Sequence, residues 1–275
     1  MNQKTLTAQV DELRESIAQI AVAADDPGLS QRKKRNLENQ LRELAEELSD
    51  LISHLDPIAQ PTSIFDPSNP KVVGRFVSLA LVAQKRHPLQ EIPRTYGSGV
   101  YAIYYTGEFP LYAPISRTET PIYVGQAAPN RRGAKTAREQ GPKLSSRLHE
   151  HRKNIAKAVE TLRLSDFEFR SLVVQSGWET AAEDYLIHLF DPVWNSQTSI
   201  VYGIGKHGDA ATTRANKRSP WDTLHPGRKW AAESAEDAKT VQQIQGELQR
   251  HFNAHPPFQD LEQVLRSFLA ELSQV

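Results

Sequence analysis

The chain has 275 residues, 33 Lys/Arg against 33 Asp/Glu, 39% hydrophobic residues and no cysteine. That length can bury a core without staples, and the missing thiols exclude disulfides, cysteine nucleophiles, thiolate zinc and iron-sulfur centres. No run of about eighteen apolar residues exists to cross a bilayer, so no membrane role is expected. The opening MNQKTLTAQVDEL turns acidic and amphipathic where a secretory signal would be apolar, and the expected compartment is the cytoplasm.

In chain order, Leu6, Val10, Leu13, Ile17 and Ile20 form one helical stripe. After the breaker Asp25-Asp26-Pro27-Gly28, Leu37, Leu41, Leu44, Leu48, Leu51 and Leu55 repeat at heptad spacing on a second helix. Together they predict an antiparallel helical hairpin over 1–55, covering either its own main domain or a second subunit. A proline-punctuated connector with a short helix around VVGRFVSLALVAQ fills 56–96. Then GVYAIYYTG and PIYVGQA read as two strands, LSSRLHEHRKNIAKAVETL as a helix running through Val159, FEFRSLVV as a third strand, and WETAAEDYLIHLF as a helix stopped by Asp191-Pro192. This β-β-α-β-α segment, with the Gly- and Trp-rich stretch after it, is assigned to 97–230. An acidic tail over 231–275 carries two more helical patterns. The expected fold class is α+β: a small three-stranded antiparallel sheet flanked by helices, with an N-terminal hairpin and a helical C-terminal tail.

Two strands each place a tyrosine close to glycine, in Gly99-Val100-Tyr101 and Tyr123-Val124-Gly125. By itself that is ordinary, because tyrosine favours strands and glycine ends them. Arg147 and His151 lie four apart on the next helix and share a face; Glu183 lies on the helix after it, and Asn195 follows the Pro192 stop. Taken singly, each has a plain structural explanation: a half-buried strand tyrosine, an Arg147–Glu150 ion pair, a helix-surface glutamate. Taken in this order, over residues 97 to 196, they resemble the GIY-YIG nuclease superfamily. The added histidine His151 and the segment PWDTLHPGRKWA resemble its type II restriction endonucleases that cut the palindrome CCGCGG. Gly107 to Thr120 lengthens the usual hairpin loop and is expected to contact DNA or a second subunit.

The resemblance implies a catalytic set of Tyr101, Tyr123, Arg147, His151, Glu183 and Asn195. Glu183 would be the ligand of a Mg²⁺ ion, for which Mn²⁺ could substitute, and Arg147 would fork onto a phosphate oxygen. Tyr101 would activate the water with His151 taking its proton, since a phenol is a poor base near neutrality. His149 competes with His151, but it points about a third of a turn or more away from Arg147. Tyr123 would bond the scissile phosphate or the water, and Asn195 would orient the site.

Charge supports a polyanionic partner. Residues 1–55 carry seven basic against ten acidic residues and 231–275 three against seven, leaving 56–230 with 23 against 16. Arg131, Arg132, Lys135, Arg138 and Lys143 in one segment, and Arg214, Lys217, Arg218 and Arg228 in another, are the expected double-stranded DNA contacts. Arginine forks suit guanine edges. Two strands to cut imply a homodimer or higher homo-oligomer. A homing or repair nuclease with the same core is the competing enzyme class. A non-catalytic DNA-binding coiled-coil protein is the competing non-enzyme.

Overall fold

The computed structural model describes residues 3–24, 31–55, 58, 64–205, 217–234 and 236–272. The chain divides into two compact units, 1–64 and 65–275. The first consists of α1 (Gln3–Ala24) and α2 (Gln31–Leu55), the two helices expected from the heptad leucines. Leu13, Ile20, Leu37, Leu44 and Leu48 are only half-buried, and none of the residues described in this unit is fully buried.

The second unit is built on a sheet of order β1-β4-β2-β3, antiparallel throughout: β1 (His87–Pro88), β2 (Gly99–Tyr105), β3 (Tyr123–Ala127) and β4 (Phe167–Val173). The three expected strands form its body, and the two-residue β1 adds a short edge. β2 is central, and all seven of its residues are buried. Alternation sends Tyr101, Ile103 and Tyr105 to one face and Val100, Ala102 and Tyr104 to the other. The first face packs against α5 (Lys143–Ile155), Trp194, Trp221 and the helix Val241–Ala254 through Ile244 and Leu248. The second packs against α3 (Pro70–Val82), α6 (Glu179–Phe190) and Val264 of the helix Leu261–Leu272. Gly74 lets α3 approach α6, since a Cβ there would sit 2.5 Å from the Ala181 carbonyl oxygen.

Local chemistry sets the ends. Asn69 caps α3 and Pro70 starts it, while Asp191 takes a left-handed φ of 43° and Pro192 prevents α6 from continuing. Between β3 and α5 lies the short helix α4 (Ala137–Gln140), capped by Thr136. The α5 helix stops at Ile155, shorter than its sequence pattern suggested, and Val159 is exposed. Part of the Gly107–Thr120 insertion turns inward, where Tyr112 and Ile115 are buried in the core. There the Trp194 indole N–H donates to Tyr112 Oη (2.8 Å), and Tyr112 Oη meets His225 Nε2 (2.6 Å). With the indole donating to its oxygen, the phenol donates its O–H to His225 Nε2, and His225 Nδ1–H donates to Thr161 Oγ1 at 2.9 Å.

Candidate active site

β3 is an edge strand, and the site is assembled around it. Tyr101 on β2 lies opposite Gly125 on β3, and Ile103 lies opposite Tyr123, so both tyrosines and the glycine share one face. A Cβ on Gly125 would lie 2.5 Å from Tyr101 Oη and 2.9 Å from a Tyr123 ring carbon. Only a glycine lets the Tyr101 phenol cross the strand there. On α5, Leu144, Leu148, His151 and Ile155 repeat at 4-3-4 spacing and are all buried, so His151 occupies an apolar slot in the stripe. Its Nε2 lies 2.8 Å from Tyr101 Oη. His149 points elsewhere, its Nδ1 bonding the Ser145 carbonyl at 2.6 Å. Of the two candidate histidines, His151 alone faces the tyrosine.

The electrostatics follow from burial. Tyr101 is held well above the ordinary phenol value by burial first and by Tyr123 second. His151 is pushed down to about 3, by burial and then by the nearby Arg147 charge, and is neutral at physiological pH. A neutral ring facing a protonated phenol has two proton arrangements, and both leave the buried Nδ1 without a partner among the described residues. Tyr123 is raised by burial, opposed by the nearby Arg147 charge. Burial opposes the Arg147 charge, but Tyr101, Glu150 and Tyr123 outweigh it and the pKa is raised. Arg147 Nη1 also pairs with Glu150 at 2.5 Å on a half-exposed surface, so the helix ion pair and the approach to the site coexist.

Glu183 and Asn195 reach the same edge from outside it. Glu183 on α6 accepts the Gln126 N–H at 3.1 Å, and burial raises its pKa against the lowering effect of that bond. Asn195, buried just past Pro192, accepts the Val124 N–H (2.9 Å) and donates to the Val124 carbonyl (2.8 Å). Its oxygen and its nitrogen both hold β3 at Val124, the residue between Tyr123 and Gly125. Among the described residues no group of three or more His, Asp and Glu side chains forms a metal cage. A lone, partly exposed carboxylate oxygen donor beside polar backbone suits a magnesium ion that keeps most of its waters and borrows a phosphate oxygen.

A family model described as the Eco29kI GIY-YIG domain matches residues 93–252, which include all six of these side chains. The chain belongs to the Eco29kI GIY-YIG family. No curated protein matches it. The unit 65–275 therefore carries a GIY-YIG nuclease domain of the restriction endonuclease kind, which acts on DNA.

Within this GIY-YIG domain the expected DNA contacts divide. Arg131, Arg132, Lys135 and Arg138 are exposed and Lys143 half-exposed, on the segment joining β3 to α5. Its base is pinned by Asn130 N to Gln140 O (3.0 Å), by Gly97 N to Gly141 O (2.8 Å) and by the Gln140 side chain to Ser98 N (2.9 Å). Arg228 is not a surface contact. It is 1% exposed, forks onto Asp222 at 2.6 and 2.7 Å, donates to the Gly203 and Ile204 carbonyls, and lies over Trp221 and Trp230. Burial among two indoles with a carboxylate partner makes it a structural clasp for the PWDTLHPGRKW segment. Arg218 is half-buried and engaged with Asp237 and the Ala231 and Ser234 carbonyls, while the exposed Lys217 pairs with Glu236 at 3.4 Å. Arg214 lies outside the described residues. A groove of about 640 Å³ includes Tyr123, Trp194, Tyr202 and Lys239. Another of about 540 Å³ is lined by Arg94, Tyr96, Ser146, His149, Glu150 and Lys153. Gly125, Gln126 and Glu150 join the site without having been expected in it. Gly125 belongs to the second tyrosine-glycine motif, but Gln126 contributes a backbone group that no side-chain pattern shows.

Proposed function

We propose that the chain is a Mg²⁺-dependent type II restriction endonuclease that hydrolyses double-stranded DNA at a palindrome, CCGCGG, as a homodimer. The observation that carries the chemistry is the 2.8 Å contact between Tyr101 Oη and His151 Nε2, placed beside Arg147 and Glu183 at one strand edge. A water positioned by Tyr101 gives a proton to the phenol oxygen as the phenol gives its own to His151 Nε2, and the resulting hydroxide attacks phosphorus in line while the bond to the 3′ oxygen breaks. Arg147 is the second cause of the low His151 pKa. A phosphate on that guanidinium cancels the opposing charge, so bound substrate makes the histidine a better base. Arg147 and Tyr123 hold the phosphate oxygens, and Asn195 keeps Tyr123 in place. A Mg²⁺ ion on Glu183 would stabilise charge developing on the phosphate and the leaving oxygen.

The preference for a GC-rich palindrome rests on the family resemblance and on the exposed arginines after β3, whose forks suit guanine O6 and N7. Incubating the purified protein with plasmid DNA and Mg²⁺, then sequencing the ends, tests the whole reading. Discrete fragments ending in a common CCGCGG-derived terminus are expected, with none from Glu183→Ala under the same conditions. Cuts without a shared palindrome would favour the homing or repair class. No cleavage with any divalent ion, alongside retained DNA binding, would leave the non-catalytic reading standing.

A further inference from the structure

The groove of about 640 Å³ that reaches Tyr123 has no part in the chemistry proposed above. Apart from Tyr123 and the buried Trp194 it is lined by the stretch 196–205 and by Lys239, and no acidic residue lines it. It lies on the flank of α5 that carries Arg147. Two helical turns beyond that arginine, Asn154 donates to the carbonyl of Ile204 in the groove wall at 2.9 Å. A second groove of about 390 Å³ shares Ser199 and Lys239 with the first and leads on to Arg250, on the helix Val241–Ala254. Together they make one open path from the cleavage site onto the C-terminal tail, although that tail is acidic in sum.

Lys239 is built into this path. An ammonium has three N–H groups, and the Ser199 carbonyl and the Glu247 carboxylate accept from it, which leaves one for a further acceptor. Its charge lies 5.9 Å from the centre of the Tyr202 ring, and only 20% of the side chain is exposed, so the group is held in place. Ser199 presents its carbonyl from a left-handed φ of 58°, a conformation that a residue other than glycine keeps only where its surroundings impose it. Arg250 is exposed and has no hydrogen-bond or ion-pair partner among the described residues. Glu247 is the one acid along either groove, and it is already paired with Lys239. Cations that keep donors in hand, continuous with a site for a phosphodiester, suit a polyanionic strand.

We infer that the two grooves are the track for the backbone of the strand being cut, on one side of the scissile bond, with Lys239 and Arg250 each holding a flanking phosphate. Lys239 is the fixed contact, set by Ser199 and Glu247 before DNA arrives, and Arg250 is the mobile one farther out. Neither residue touches the reacting atoms. The tail helix thereby fixes how the strand lies across Tyr123 and adds affinity that is independent of base sequence. This rests on the nuclease reading, because the path is a strand track only if the bond at Tyr123 is a phosphodiester.

The test is binding of the full chain, in metal-free buffer, to a duplex oligonucleotide carrying CCGCGG with long flanks. At about 0.1 M salt, Lys239→Met and Arg250→Met should each bind about fivefold to tenfold more weakly, and each should lower the slope of log K against log salt by about 0.9. Single phosphates beside the cut are then replaced by neutral methylphosphonates. One position should weaken binding of the parent and leave Lys239→Met unaffected, and a position farther along should do the same for Arg250→Met. A lysine that only ties the tail helix to the stretch 196–205 would weaken every duplex alike and leave the methylphosphonate penalty in place. Arg250→Met removes no contact within the described residues, so it reads the track even if Lys239→Met folds poorly. Parental salt slopes in both variants, or a penalty that neither variant removes, would overturn the track while leaving the nuclease reading intact. A parent that neither binds this duplex nor cleaves plasmid DNA would overturn both.

Discussion

Tyr101 and Gly125 act as a pair at the scale of single atoms, because the phenol occupies the volume that any side chain at 125 would need. Tyr101→Phe keeps the ring and removes the hydroxyl, so the protein should fold with unchanged circular dichroism and cleave about 10²–10⁴-fold more slowly. Gly125→Ala removes no chemical group, yet it should slow single-turnover cleavage at saturating DNA comparably by displacing the phenol. A near-parental rate for either would show that the hydroxyl position does not matter. His151 and His225 each have a folded pKa of about 3 against an unfolded reference near 6.5. A depressed histidine pKa means the unfolded chain binds the extra proton. Stability is therefore fully present above about pH 6.5 and is lost as pH falls towards 3, by about 2 kcal/mol per histidine at pH 5. Urea unfolding at pH 7 and pH 5 should show this loss, and His225→Gln, though less stable at pH 7, should shrink the difference between the two pH values. By the same sign, a rise in cleavage rate around neutrality is not the free-enzyme titration of His151.

At the scale of elements, the site depends on how α6 and the turn after it hold β3. Asn195→Ala should cost about 2–3 kcal/mol, because it strips two hydrogen bonds and leaves both Val124 backbone groups unpaired. Asn195→Asp should do no better, since a carboxylate can accept the Val124 N–H but repels its carbonyl. Denaturant midpoints and exchange of the Val124 amide would check both, and a slow-exchanging amide in Asn195→Ala would refute the clasp. The elements that carry the site were legible because periodicity is a side-chain property. The alternating GVYAIYY, the 4-3-4 stripe through His151 and the Asp191-Pro192 stop all appear where the pattern put them. What stayed hidden depends on how side chains meet on folding. Asp222, Trp221 and Trp230 stand within seven residues of Arg228, yet no periodic pattern distinguishes partners in a buried clasp from the flanks of a DNA contact. In the same way, the turn residues of Gly107–Thr120 gave no sign that Tyr112 would reach Trp194 and His225.

For the molecule as a whole, DNA affinity is expected to rest on other arginines than the one that clasps the fold. Arg228→Ala should lower unfolding free energy by about 3–5 kcal/mol, through an abandoned buried Asp222 carboxylate. In a binding assay corrected for the folded fraction, its salt dependence should be unchanged. Ala at Arg131, Arg132, Lys135 or Arg138 should instead leave the melting temperature near the parental value and reduce the slope of log K against log salt by up to about 0.9 for each phosphate no longer neutralised. An Arg228→Ala protein of normal stability and weak DNA binding would reverse the division. The edge position of β3 has one more consequence, which concerns solubility. An unpaired strand edge invites a strand from another molecule, and proteins commonly block such edges with charge, proline or covering loops. Here the outward N–H and C=O of Val124 and the N–H of Gln126 are taken by Asn195 and Glu183, the same side chains proposed above for the cleavage chemistry. Evolving the chemistry away by changing either residue would therefore also unseal the edge, so inactive descendants carrying Asn195→Ala should accumulate as insoluble β-rich aggregates more readily than those inactivated at Tyr101.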